Sequence, residues 1–176
     1  MTHESFLQWW GERGSKSFEA LLFDIDGTLI SGGRALPGAI DTFEWLRSTS
    51  FPFRLLTNDG NHSPEEKCGF LRNAGLQIEP EEIVSCGHAL ASLADSLSLK
   101  GAKVFVLGDM GVPSFAERAG MVQCREPNEI EDCHAVIVGE GIYDWLDHIT
   151  AAFHYLVRHP ERVMLAPNPE THWPEG

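Results

Sequence analysis

The sequence predicts an α/β fold built on parallel strands, with a second α/β unit following the first. Two observations predict it. Short apolar runs stop abruptly at polar residues, as in Ala20-Leu21-Leu22-Phe23 before Asp24 and Leu55-Leu56 before Thr57-Asn58, the habit of buried parallel strands. Between such runs lie stretches with helical spacing and recognisable helix starts, so strand and helix alternate along the chain.

The bulk properties bound the function. At 176 residues the chain can bury a real core as one domain or two small ones. Its 13 basic and 26 acidic residues give a net charge of -13, which repels a polyanion and argues against a nucleic-acid partner. No apolar run approaches the roughly 18 residues of a membrane span, and the polar, acidic first residues do not form a signal peptide. Cys68, Cys86, Cys124 and Cys133 make no CxxC pair, so reduced thiols and a cytoplasmic location are expected. The eight histidines show no HExxH or similar ligand pair and are expected to serve surface and packing roles.

Residues 1–17 form an N-terminal extension in which Phe6, Leu7, Trp9 and Trp10 suggest a short helix with one apolar side, either packing on the domain or serving as a partner-binding arm. The first strand then delivers Asp24 to its carboxyl end, the edge of an open α/β sheet where ligands bind. Asp24 and Asp26 are two apart, so in an extended strand they share a side and repel. A magnesium ion relieves that repulsion, because it favours carboxylate and carbonyl oxygens and is commonly shared with a substrate phosphate. Asp24, kept ionised, is then suited to attack phosphorus and form an aspartyl-phosphate, with Asp26 as general acid and base. Gly27 allows a sharp exit turn whose N–H groups are left for phosphate.

Asp24-Ile25-Asp26-Gly27-Thr28 resembles the first motif of the haloacid dehalogenase (HAD) superfamily of phosphohydrolases. Pro37-Gly38-Ala39, Leu55-Leu56-Thr57-Asn58 and Ala166-Pro167-Asn168-Pro169-Glu170 narrow the resemblance to its NagD-like members, which include p-nitrophenylphosphatase-like and phosphoglycolate-phosphatase-like enzymes. The resemblance covers residues 18–176. It implies a Rossmann-like parallel-sheet core over 18–86 and an α/β cap domain over 87–176. It also implies a magnesium site at Asp24 and Asp26, a small phosphorylated metabolite as substrate, and room for a homodimer.

The remaining elements follow in order. Ile30 to Leu36, with Gly32-Gly33 between extended residues, reads as a small hairpin beside Asp24. Pro37-Gly38 open a helix whose apolar face is expected at Ile40, Phe43, Trp45 and Leu46. Phe51 to Leu56 returns as a strand, and a right-handed crossover puts Thr57 and Asn58 on the same sheet edge as Asp24. The Thr57 hydroxyl and the Asn58 amide can donate to a phosphoryl oxygen, the role of the second HAD motif. Asp59 stands where relatives often carry Asn. Ser63-Pro64-Glu65-Glu66 is a capping box that starts a helix over 64–74, closed by Gly75 and followed by a strand at Ile83-Val84.

From residue 87 the alternation restarts. Helical spacing is read over Ala89–Leu99, Pro113–Ala119 and Trp145–Arg158, and strands at Val104–Leu107, Met121–Val122, Ala135–Val138 and Val163–Ala166.

The resemblance places a phosphate-neutralising lysine and a Gly-Asp metal motif after the cap. No lysine occurs beyond Lys103, so an incomplete core is expected, with the first strand left as an exposed edge prone to self-association. A rival reading takes Lys100 or Lys103 with Leu107-Gly108-Asp109 as those two motifs in a cap-less member. The alternative function is a catalytically incomplete domain that binds phosphate or a partner. A receiver domain, the other class that phosphorylates an Asp, needs an acidic pair on an earlier strand than its acceptor, an order absent here.

Overall fold

The computed structural model describes residues 6–12, 18–141 and 144–169. Glu170 of the late motif and much of the 1–17 extension therefore lie outside the described residues. The chain divides into two compact units. Among the described residues, one comprises those up to Thr57 together with Lys67–Val84; the other comprises Asn58–Glu66 and those from Ser85 to Pro169.

The first unit holds three parallel strands in the order β1 (Leu21–Asp24), β4 (Phe53–Thr57), β5 (Ile83–Ser85), so β1 is an edge. A small antiparallel hairpin, β2 (Ile30–Ser31) and β3 (Arg34–Ala35), turns through Gly32 and Gly33, both left-handed with φ 54° and 73°. Helix α2 (Ala39–Thr49) and helix α3 (Pro64–Asn73) bury one side of the sheet. Burial alternates along β4, with Phe53 and Leu55 inside and Arg54 and Leu56 outside, as a strand of period two requires. Ile25, Leu46, Leu55, Leu71 and Ile78 are fully enclosed in that core. The opposite face shows Leu22, Leu56 and Val84, which are 63%, 39% and 43% exposed.

Helix α2 departs from the expected face. Ala39, Thr42, Phe43 and Leu46 point inward, whereas Ile40 is exposed and lies where a Gly75 side chain would meet it. Positions 39, 42, 43 and 46 form the i, i+3, i+4, i+7 stripe, and 40 and 45 fall beside it. Helix α3 ends as expected at Gly75 (φ 95°), with the Leu76 N–H donating to the Leu71 carbonyl at 2.8 Å. On α1 (Phe6–Glu12), Trp10 is buried, its ring 4.9 Å from Phe51 and 5.7 Å from Trp45.

In the second unit four parallel strands run in the order β7 (Val122–Cys124), β6 (Lys103–Leu107), β8 (Ala135–Val138), β9 (Val163–Leu165). Val104 and Val106 enter a core with α4 (Ala89–Ser96) and α5 (Phe115–Arg118). Phe105 and Leu107 enter another with Ile130 and with Ala152 and Tyr155 of α6 (Thr150–Arg158). The central strand is thus covered on both faces, which explains its unbroken apolar sequence. The expected 113–119 helix shrinks to one turn, capped by Ser114, which accepts the Glu117 N–H. The expected 145–158 helix begins with a wider turn, where Asp144 accepts the N–H groups of Leu146 and Asp147 at 3.0 and 2.9 Å. Because β6 pairs with β7 and β8, Leu107-Gly108-Asp109 does not extend the β1 sheet, which overturns the cap-less reading.

Candidate functional site

The two strands that matter are registered in parallel, with Leu21 opposite Phe53 and Asp24 opposite Leu56. Asp24 therefore ends β1, and Thr57, one residue past its partner, ends β4 on the same rim. Asp24 is exposed and its Oδ2 accepts the Thr28 hydroxyl at 3.1 Å. Thr57 is 8% exposed.

After Asp24 the chain turns sharply around Ile25, which is completely buried. The Ile25 carbonyl accepts the N–H groups of Thr28, Leu29 and Ile30 at 3.3, 2.9 and 3.2 Å. Gly27 adopts φ 80°, a conformation that only glycine takes without strain. Its N–H donates to the Ile30 carbonyl at 2.8 Å. That corrects the expectation of free N–H groups for phosphate: the turn spends them on its own closure, and Gly27 contributes conformation rather than a donor.

Asp26 leaves the same turn with its side chain half exposed, and its Oδ2 receives the Lys67 ammonium at 2.8 Å. Lys67 is the residue that sequence reasoning missed. Its signal was present, because positions 64, 67, 68 and 71 make the inward stripe of α3 and one of them is charged.

Asn58 opens the second unit and is exposed, and its backbone carbonyl accepts the Cys86 thiol at 3.0 Å. Burial pushes the Cys86 thiol above its ordinary value, so it is a protonated donor at neutral pH. The Asp59 carboxylate is taken up inside its own loop by the Asn61 N–H at 2.9 Å, the His62 N–H at 3.1 Å and the His62 ring at 2.9 Å. Such a turn is what an aspartate at this position is good for. Lys100 and Lys103 pair with Asp95 and Asp132 within the second unit.

Among the described residues no group of three or more histidines, cysteines, aspartates or glutamates gathers as a metal cage. The donors at the β1 edge fit magnesium in a different way. They are oxygens only, and magnesium binds through one or two carboxylates while keeping waters and sharing the substrate phosphate. With the Asp26 carboxylate engaged by Lys67, the Asp24 carboxylate and the Asp26 carbonyl are the groups that would hold the ion.

A family model for haloacid dehalogenase-like hydrolases matches residues 21–122, more than half of the chain. The chain belongs to that family. Among curated relatives, an acid sugar phosphatase of Staphylococcus aureus is 32% identical over 107 residues, which are 61% of this chain and 41% of that protein. Glycerol phosphate phosphatase of Mycobacterium tuberculosis, solved in complex with calcium, superposes with TM-score 0.75 at 22% identity, covering 91% of this chain and 46% of that one. It has also been solved in complex with magnesium. NagD of E. coli K-12 gives TM-score 0.71 at 24% identity, covering 90% and 60%. The fold of this HAD-like chain is thus the NagD-type α/β fold. The chain spans about half the length of the relatives it matches.

Proposed function

We propose that this HAD-like chain carries the nucleophile half of a magnesium-dependent phosphomonoester hydrolase. The observation that carries the reading is the parallel register that ends β1 at Asp24 beside β4 ending at Thr57. An Asp24 oxygen attacks phosphorus and the bond to the leaving oxygen breaks, while Asp26 passes that oxygen a proton taken up from solvent. Asp26 then takes a proton from water, the water oxygen attacks phosphorus, and the bond to Asp24 breaks, returning phosphate and the free carboxylate. Thr57 and Asn58 hold the phosphoryl oxygens by donation. Thr28 fixes the Asp24 carboxylate through its hydroxyl. Bound magnesium supplies positive charge where the phosphoryl group is most negative.

The substrate is a small phosphorylated metabolite, in keeping with relatives named for sugar phosphate and glycerol phosphate. The four cysteines, which form no disulfide among the described residues, suit a reducing compartment such as the cytoplasm. Among the described residues no helix is long and apolar enough to cross a membrane.

A second reading, a phosphate- or partner-binding domain without turnover, rests on the engagement of the Asp26 carboxylate by the Lys67 ammonium at 2.8 Å. One experiment separates the two. Hydrolysis of p-nitrophenyl phosphate with magnesium, abolished by EDTA and by Asp24→Asn, establishes the enzyme. Magnesium binding by calorimetry with no hydrolysis establishes the binding domain.

A further inference from the structure

We propose that Lys67 is a positioning residue that holds the Asp26 carboxylate in its working orientation, an inference that rests on the phosphohydrolase reading above. The ion pair is lopsided. The Lys67 side chain is 7% exposed and the Asp26 side chain 54%, so the ammonium is sunk in the unit while the carboxylate stands at the open edge. An interior ammonium is costly, and an apolar residue of similar volume generally serves stability as well or better. Position 67 lies on the inward stripe of α3 beside Cys68 and Leu71, which are 1% and 0% exposed, where a leucine or methionine would pack. The contact with Asp26 gives a cation at that position a function that a leucine or methionine could not supply.

The orientation matters because Asp26 follows a turn closed by Gly27. Backbone hydrogen bonds fix the turn, but they leave the Asp26 side-chain torsions free. The 2.8 Å contact from Nζ to Oδ2 removes that freedom and leaves Oδ1 as the oxygen to exchange protons with the leaving group and with water. Lys67 comes from a helix that is itself anchored, by the Ser63 N–H to Glu66 at 2.8 Å at its start and by the Gly75 turn at its end. The ammonium thus has a rigid base.

The test compares kcat and KM for p-nitrophenyl phosphate in the full chain, with thermal unfolding alongside. Lys67→Met is expected to lower kcat about 10- to 100-fold, the size of a misplaced catalytic group, with KM within about two-fold. The unfolding midpoint should hold or rise, and Lys67→Arg should recover most of the rate. In an Asp26→Asn background, Lys67→Met should cost nothing further, because its effect passes through Asp26. A further loss there would mean that Lys67 acts directly on phosphate, and unchanged kcat in the single variant would mean that it is only structural; either overturns the inference while leaving the phosphohydrolase reading intact. Absence of wild-type hydrolysis would sink that reading and, with it, the role given to Lys67.

Discussion

Asp24 and Thr57 terminate neighbouring parallel strands, Asp24 opposite Leu56 and Thr57 one residue beyond. On the reading proposed above, the Thr57 hydroxyl holds the phosphoryl group that Asp24 attacks. Thr57→Val keeps the shape and removes the donor. A hydrogen bond to a charged group is worth about 1.5–3 kcal/mol, so KM for p-nitrophenyl phosphate should rise on the order of 10-fold or more. Thr57→Ser should stay near wild type. Steady-state kinetics that leave Thr57→Val unchanged would remove Thr57 from the site.

The sequence made β1, β4 and the Asp24–Thr28 turn legible because each joins an apolar run to a polar stop, a pattern with few other physical outcomes. Lys67 was not legible in the same way. Read as part of a capped helix, it passed for one more charged residue, and only its place in the stripe with Pro64, Cys68 and Leu71 set it apart. Ile40 shows the converse error, an apolar residue assigned inward for its hydrophobicity when its helical angle faces it outward. The fate of the Gly27 N–H depends on how tightly the turn closes on Ile30, which follows from backbone geometry that composition does not report.

The uncovered side of the first sheet leads to a prediction about association. β1 pairs only with β4 among the described residues, and Leu22, Leu56 and Val84 share the exposed face. An edge strand of this kind templates pairing with a second copy. Light scattering over a concentration series is expected to show self-association, reduced by Leu22→Glu. A monodisperse monomer at every concentration would contradict it.

Gly87 is held to glycine by packing. A Cβ there would stand 2.4 Å from the ring of Phe115, which is 1% exposed and cannot move aside without disturbing the second core. Gly87→Ala should cost about 1–3 kcal/mol by overpacking. The unfolding midpoint should fall by several degrees and recover in part when Phe115→Leu is added. No change on calorimetry would show that the ring yields freely.

The Arg47–Glu82 pair should govern part of the acid sensitivity. Burial works to raise the Glu82 carboxyl, but the forked Arg47 guanidinium and the Glu79 N–H outweigh it, and Glu82 ends below the usual carboxylate range. A carboxyl with a depressed folded value adds stability above its unfolded value of about 4.3 and loses it as pH falls through the folded value. Arg47 is 43% exposed, so solvent screening limits the pair to about 1 kcal/mol. Glu82→Gln should therefore melt about 2–4 °C lower than wild type at pH 7. Below the folded value the wild-type carboxyl is protonated and differs little from the amide, so the gap between the two melting curves should close as pH falls through that value. A gap that persisted in acid would mean that Glu82 acts through packing rather than through its charge.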